Sequence, residues 1–151
     1  MFADANPDVD NMDRLNVMFK DFPAGNGYQN LIYYAQSIHT EGKLLRYDFG
    51  GVKNMDKYGT FYPPEVPLDK LSVPTGLFIG QYDLLATVED NELLKQKLNE
   101  DMLVWDQVYP LGHLSFVLAK DMSFFTQDVV NLVSKYATNT YDDEALFLAI
   151  N

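Results

Sequence analysis

At 151 residues, 47% of them hydrophobic, the chain has the length of one ordinary domain and enough apolar material for a packed core. Its 22 acidic against 11 basic residues give a formal net charge of −11, which repels a phosphate backbone, so no nucleic-acid partner is expected. Without cysteine, and with His39 and His113 far apart, the sequence offers neither a disulfide framework nor a metal-ligand spacing.

No apolar stretch approaches the roughly 20 residues of a membrane span, so none is expected. Met1-Phe2-Ala3-Asp4 carries no basic-then-apolar export signal, and the compartment stays unread.

In chain order, Leu15, Val17, Met18 and Phe19 among polar neighbours predict a helix over residues 10–22, broken by Pro23-Ala24-Gly25-Asn26-Gly27. Leu31, Ile32, Ala35 and Ile38 recur at helical spacing and predict a second helix from Tyr28 to about Gly42. Its apolar stripe reads either as core packing or as the lining of a lipid pocket. Residues 47–71, with Gly50-Gly51, Tyr58-Gly59 and Pro63-Pro64, read as a long ordered loop.

Thr75 to Gly80 is a short apolar run bounded by proline and glycine, as in a buried parallel strand, and its carboxyl end delivers Asp83. Thr87 is a plausible N-cap, with Glu89 and Asp90 in the first turn and Leu93, Leu94 and Leu98 on one apolar face. A second strand is expected from Met102 to Tyr109, closed by Pro110, with His113 in the turn that follows. Phe124, Phe125, Val129, Leu132, Val133 and Tyr136 outline a last amphipathic helix, and residues 137–151 form an acidic tail closing on an apolar patch.

Strand, acidic turn, helix, strand, histidine turn, helix is an α/β crossover pattern, and ligands in such folds gather at the carboxyl ends of the strands. Asp83 and His113 both fall there, 30 positions apart. Alone, an aspartate in a turn is usually a cap and a lone histidine usually a satisfied surface or core residue. Together they have the order and spacing of the acid and base of a Ser-His-Asp triad, in which the carboxylate fixes the imidazole tautomer and the imidazole carries the proton.

The residues also resemble the acid lipases, the family of lysosomal acid lipase and gastric lipase. Pro23-Ala24-Gly25, Gln29-Asn30 and Gln36 are similar to the last helix of that family's cap. Tyr47-Asp48-Phe49-Gly50, Asn54, Tyr58-Gly59 and Pro63-Pro64 follow in its order. Gly80-Gln81-Tyr82-Asp83-Leu84-Leu85-Ala86 resembles the segment bearing the triad aspartate, and His113-Leu114-Ser115-Phe116 the histidine segment. Two departures are Ser115, where the family usually has an acid, and Tyr33, where a histidine is common.

The resemblance implies the C-terminal part of an α/β-hydrolase fold, late parallel strands with flanking helices, plus the end of a helical cap. The corresponding division is 1–45 cap, 46–72 connecting loop, 73–136 hydrolase core and 137–151 tail. It implies a lipid-ester hydrolase, acting on triacylglycerol or sterol ester, that needs no cofactor and resides in the lysosome or outside the cell.

No Gly-x-Ser-x-Gly occurs: Ser37, Ser72, Ser115, Ser123 and Ser134 all lack the flanking glycines of a strained nucleophile turn. The expectation is therefore that Asp83 and His113 act with a serine from a missing N-terminal half or from a separate chain that carries it, and that the chain in isolation hydrolyses nothing. The alternative is an inactive, lipase-derived structural subunit of a larger assembly.

Overall fold

A computed structural model describes residues 4–20 and 24–137. Phe22 and Pro23 of the expected first helix and its break, and the tail from residue 138, lie outside the described residues.

The chain opens with an extended strap carrying 3-10 turns at Pro7–Val9 and Met12–Arg14. Backbone bonds tie it to distant segments: Ala5 N–H donates to Tyr82 O (2.9 Å), Asn11 N–H to Leu118 O (2.7 Å), and Lys120 N–H to Val9 O (2.9 Å). The helix expected over residues 10–22 shrinks to α1, Leu15–Met18. Asp10 is bridged to Ala119 and fully buried, so it cannot start a helix, and exposed Val17 and Phe19 give no packed face to support a longer one.

Helix α2, Tyr28–Ser37, forms as the spacing predicts but ends earlier, and the turn after it takes left-handed conformations at Glu41 and Gly42. Its apolar stripe is not core: Leu31 is 63% and Ile38 66% exposed.

The expected loop over residues 47–71 contains helix α3, Gly51–Tyr58, between Gly50 and Gly59, both at positive φ. Polar bonds organise it. Buried Asn54 accepts from Phe49 N–H (2.9 Å) and donates to Asp48 Oδ1 (2.7 Å) and Phe61 O (3.0 Å). The Asn54 amide, and then Gly50 N–H, hold the Asp48 carboxyl below its usual range. Gln36 clamps the Asp48 backbone in both directions, donating to its O (2.9 Å) and accepting from its N–H (3.0 Å). Local propensity alone does not reveal a helix whose start is fixed by side chains on both sides of it.

Strands β1, Thr75–Gly80, and β2, Leu103–Tyr109, form a parallel two-stranded sheet, joined by helix α4, Val88–Lys95. The connection is long enough for a helix, as parallel pairing requires. Thr87 caps α4 by accepting from Asp90 N–H (3.2 Å), as the sequence predicts. After β2 come a short helix α5, Ser115–Leu118, a π-helical turn Phe124–Val129 and helix α6, Val130–Ala137.

Gly76, Phe78 and Gly80 share one face of β1 by the period of two. On that face Phe78 stacks between Trp105 (5.9 Å) and Tyr109 (5.8 Å), Tyr109 meets Phe124, and Phe124 meets Phe116 edge-on at 5.2 Å. Tyr109, Leu111, Ala119 and Phe124 form the buried core there. The result is a partial α/β fold with its core directly behind the loops at the carboxyl ends of both strands. Among the described residues, no helix is long and apolar enough to cross a membrane.

Candidate active site

The sheet ladder continues beyond the strand ends. Gln81 N–H donates to Tyr109 O (2.8 Å) and Tyr82 N–H to Leu111 O (2.9 Å), so the loop leaving β1 and the loop leaving β2 run side by side. Close approach demands glycine at position 80, where a Cβ would stand 2.7 Å from Leu111 O. These contacts bring Asp83 and His113 together.

The Asp83 carboxylate divides its work. Oδ1 accepts from Leu85 N–H (2.8 Å) and Ala86 N–H (2.9 Å), which fixes the side chain in its own turn. Oδ2 is thereby aimed at His113 Nδ1, 3.0 Å away. With the carboxylate ionised and the imidazole neutral, Nδ1 donates and Nε2 keeps its lone pair.

The exposures are unequal: the Asp83 side chain is 6% exposed and that of His113 43%. A buried carboxylate thus orients an imidazole whose outer edge is reachable. Among the described residues, Nε2 has no hydrogen-bond partner. The arrangement can take a proton from a nucleophile placed beside Nε2 and return it to a leaving group.

None of the described serines serves as that nucleophile by its contacts with this pair. Ser115 is nearest in sequence, but it is fully buried and its hydroxyl donates to Asp10 Oδ1 (2.6 Å). Ser37 donates to Tyr34 O (2.7 Å).

The sequence reading missed Asp4 and Asp10. Asp4 Oδ1 accepts from Leu114 N–H (3.3 Å), and Asp10 reaches the same loop through Ser115. The contacts span 110 and 105 positions, and nothing local to an acidic N-terminal segment signals them. Tyr109, beneath the loop, donates to Asp128 (2.8 Å) and accepts from Trp105 Nε1 (3.3 Å). Burial first, then the bond to Asp128, pushes its phenol up to about 12.

No protein-family model matches the chain. Individual relatives do. Lipase member K of Homo sapiens is 33% identical over 133 residues, 85% of this chain and 32% of the relative. Lysosomal acid lipase/cholesteryl ester hydrolase of Homo sapiens is 34% identical over 130 residues, 83% of this chain and 32% of the relative. Gastric triacylglycerol lipase of Homo sapiens is 33% identical over 128 residues, 83% of this chain and 31% of the relative. The chain therefore spans about a third of the length of the curated relatives it matches. With that likeness running through most of its own length, and with a partial α/β fold to match, the chain belongs to the acid lipase family.

Proposed function

We propose that Asp83 and His113 are the acid and base of a lipid-ester hydrolase, completed by a serine nucleophile that this sequence does not contain. The observation that carries the reading is the 3.0 Å pairing of His113 Nδ1 with an Asp83 carboxylate pinned by two backbone amides at the rim of a parallel sheet. Relatives named for triacylglycerol and cholesteryl esters supply the substrate class, a water-insoluble acyl ester. Hydrolysis by such a triad moves one proton through Nε2 and uses no cofactor.

The nucleophile and its oxyanion-hole donors come, on this reading, from protein that pairs with the free strand edges. Among the described residues β1 and β2 pair only with each other, and Asp106, Gln107 and Val108 in β2 are exposed. A parallel sheet is ordinarily covered on both faces and flanked by neighbours, so these edges favour a docked companion. The exposed stripe of α2, residues Leu31, Ile32 and Ile38, would then line the acyl site within the cap segment, residues 1–45.

The test is to purify the chain with whatever copurifies and treat the complex with a fluorophosphonate probe. Labelling of a partner serine that His113→Ala abolishes is the expected result. A complex in which no serine labels would leave the other role, a lipase-derived structural subunit.

A further inference from the structure

The bond to Asp83 fixes one nitrogen of His113, but the imidazole is nearly half exposed and rides on a loop. Its aim depends on the backbone of the residues on either side of it. The N-terminal strap holds the N–H of Leu114 directly and that of Gly112 through Ser115. Gly112 N–H donates to Ser115 Oγ (2.9 Å), and Ser115 Oγ donates to Asp10 Oδ1 (2.6 Å). Leu114 N–H donates to Asp4 Oδ1 (3.3 Å).

We propose that Asp10, acting through the Ser115 hydroxyl, is a positioning residue for His113, with Asp4 as a second clamp on the same loop. This rests on the reading of His113 as the base.

The polarity of the chain of bonds follows from the groups. A serine hydroxyl has one proton, and an ionised carboxylate can only accept it. With that proton committed to Asp10, an Oγ lone pair is left facing the Gly112 amide. A neutral acceptor in its place still takes the hydroxyl proton, through a bond longer and weaker than the charge-assisted one. Without any acceptor the rotor is free, and the Gly112 amide loses a fixed partner.

Two features separate this from an ordinary loop contact. Asp10 and Ser115 are both 0% exposed, and Asp10 Oδ2 has no hydrogen-bond partner among the described residues. Burying an incompletely paired carboxylate lowers stability, which fits a place where geometry matters more than the fold's own free energy. Gly112 is also shaped to the clamp: a Cβ there would sit 1.9 Å from Asp4 Oδ1, in the space that the carboxylate fills.

The experiment is 15N NMR of the full chain, reading the tautomer of His113 and the exchange of its Nδ1 proton with water. His39, exposed and the only other histidine, is the internal reference. In the unsubstituted chain and in Asp10→Asn, which keeps an acceptor for Ser115, His113 is expected as the Nδ1–H tautomer with slow exchange. In Ser115→Ala and Asp10→Ala the Nδ1–H population should fall toward that of His39 and exchange should quicken about three- to tenfold, the scale of one net hydrogen bond. Ser115→Ala strands a buried amide and a carboxyl group; should it fail to fold, Asp10→Ala, which removes the buried carboxyl group, carries the test.

Asp83→Asn separates the two ideas. If Asp83→Asn alters the His113 signature while Ser115→Ala and Asp10→Ala leave it as in the parent, the positioning role is overturned and the dyad stands. If Asp83→Asn leaves it unchanged, the dyad reading itself falls, and the positioning proposal with it.

Discussion

Gly80→Ala tests how the two loops are held together. Gly80 ends β1 opposite Tyr109, and a methyl group there would stand 2.7 Å from Leu111 O, 3.1 Å from Asp83 Cβ and 3.2 Å from the Phe116 ring. The first contact is backbone and cannot swing aside. Carbon contacts are comfortable near 3.5 Å, so Leu111 must retreat by roughly 0.8 Å. Retreat stretches the 2.9 Å bond that Leu111 O accepts from Tyr82 N–H, the bond that keeps the aspartate loop beside the histidine loop. Overpacking costs about 1–3 kcal/mol. The weakened bond adds roughly 1 kcal/mol. The sum, about 2–4 kcal/mol, is a large part of the roughly 5–15 kcal/mol that holds a domain of this size. Urea unfolding followed by the fluorescence of Trp105, the single tryptophan, which stacks on Phe78, measures it directly. The same variant should lower the Nδ1–H population of His113. A stability change below about 0.5 kcal/mol, the scale of an uninvolved surface site, would refute the account of how these loops are joined.

Other outcomes follow from the same geometry. On the proposed reading of the pair as acid and base of an ester hydrolase, Asp83→Asn should cut turnover by about four orders of magnitude with thermal stability nearly intact, since an amide oxygen still accepts from Leu85 and Ala86 while the imidazole loses its tautomer; a loss under tenfold in an ester assay would assign the acid elsewhere. Because the Tyr109 phenol is raised in the folded chain, its contribution is fully present below pH 10 and is lost as pH rises through about 12. Tyr109→Phe should therefore flatten the alkaline decline, which this group steepens by at most about 1.4 kcal/mol per pH unit. Urea midpoints at pH 9, 10 and 11 would show it, and parallel curves for the two proteins would contradict it. Asn54→Ala removes three bonds from a fully buried side chain and should cost about 2–3 kcal/mol in thermal unfolding, with α3 the element that loosens; an unchanged midpoint would mean that the Asp48 turn does not depend on this side chain.

Several residues quoted for the family likeness turn out to have structural work. Gln36, Asp48 and Asn54 form one hydrogen-bonded unit that starts α3 and ties it to α2. Tyr58 adds a bond from its hydroxyl to Tyr47 O (3.1 Å). The helix they build was not visible as a periodic pattern, because its boundaries are set by side-chain bonds and two positive-φ glycines rather than by an apolar face. The converse holds in α2, whose clear stripe, readable as core packing or as pocket lining, is exposed. Periodicity specifies that such a stripe shares one side of a helix; it does not specify that anything covers that side.

What the sequence by itself determined is the stretch from β1 to the histidine turn. An apolar run punctuated by proline and glycine, a capped helix and a returning strand are local patterns, and the 30-residue interval that they span leaves Asp83 and His113 little choice but the same rim. What only the tertiary structure decided is the support beneath that rim. Asp4 and Asp10 meet the histidine loop across more than 100 residues, and α1 stays short because its neighbours bond to that distant loop instead of to a helix. Short-range propensity acts over a turn or two of chain; hydrogen bonds to a remote segment exist only once the fold has brought the two backbones together.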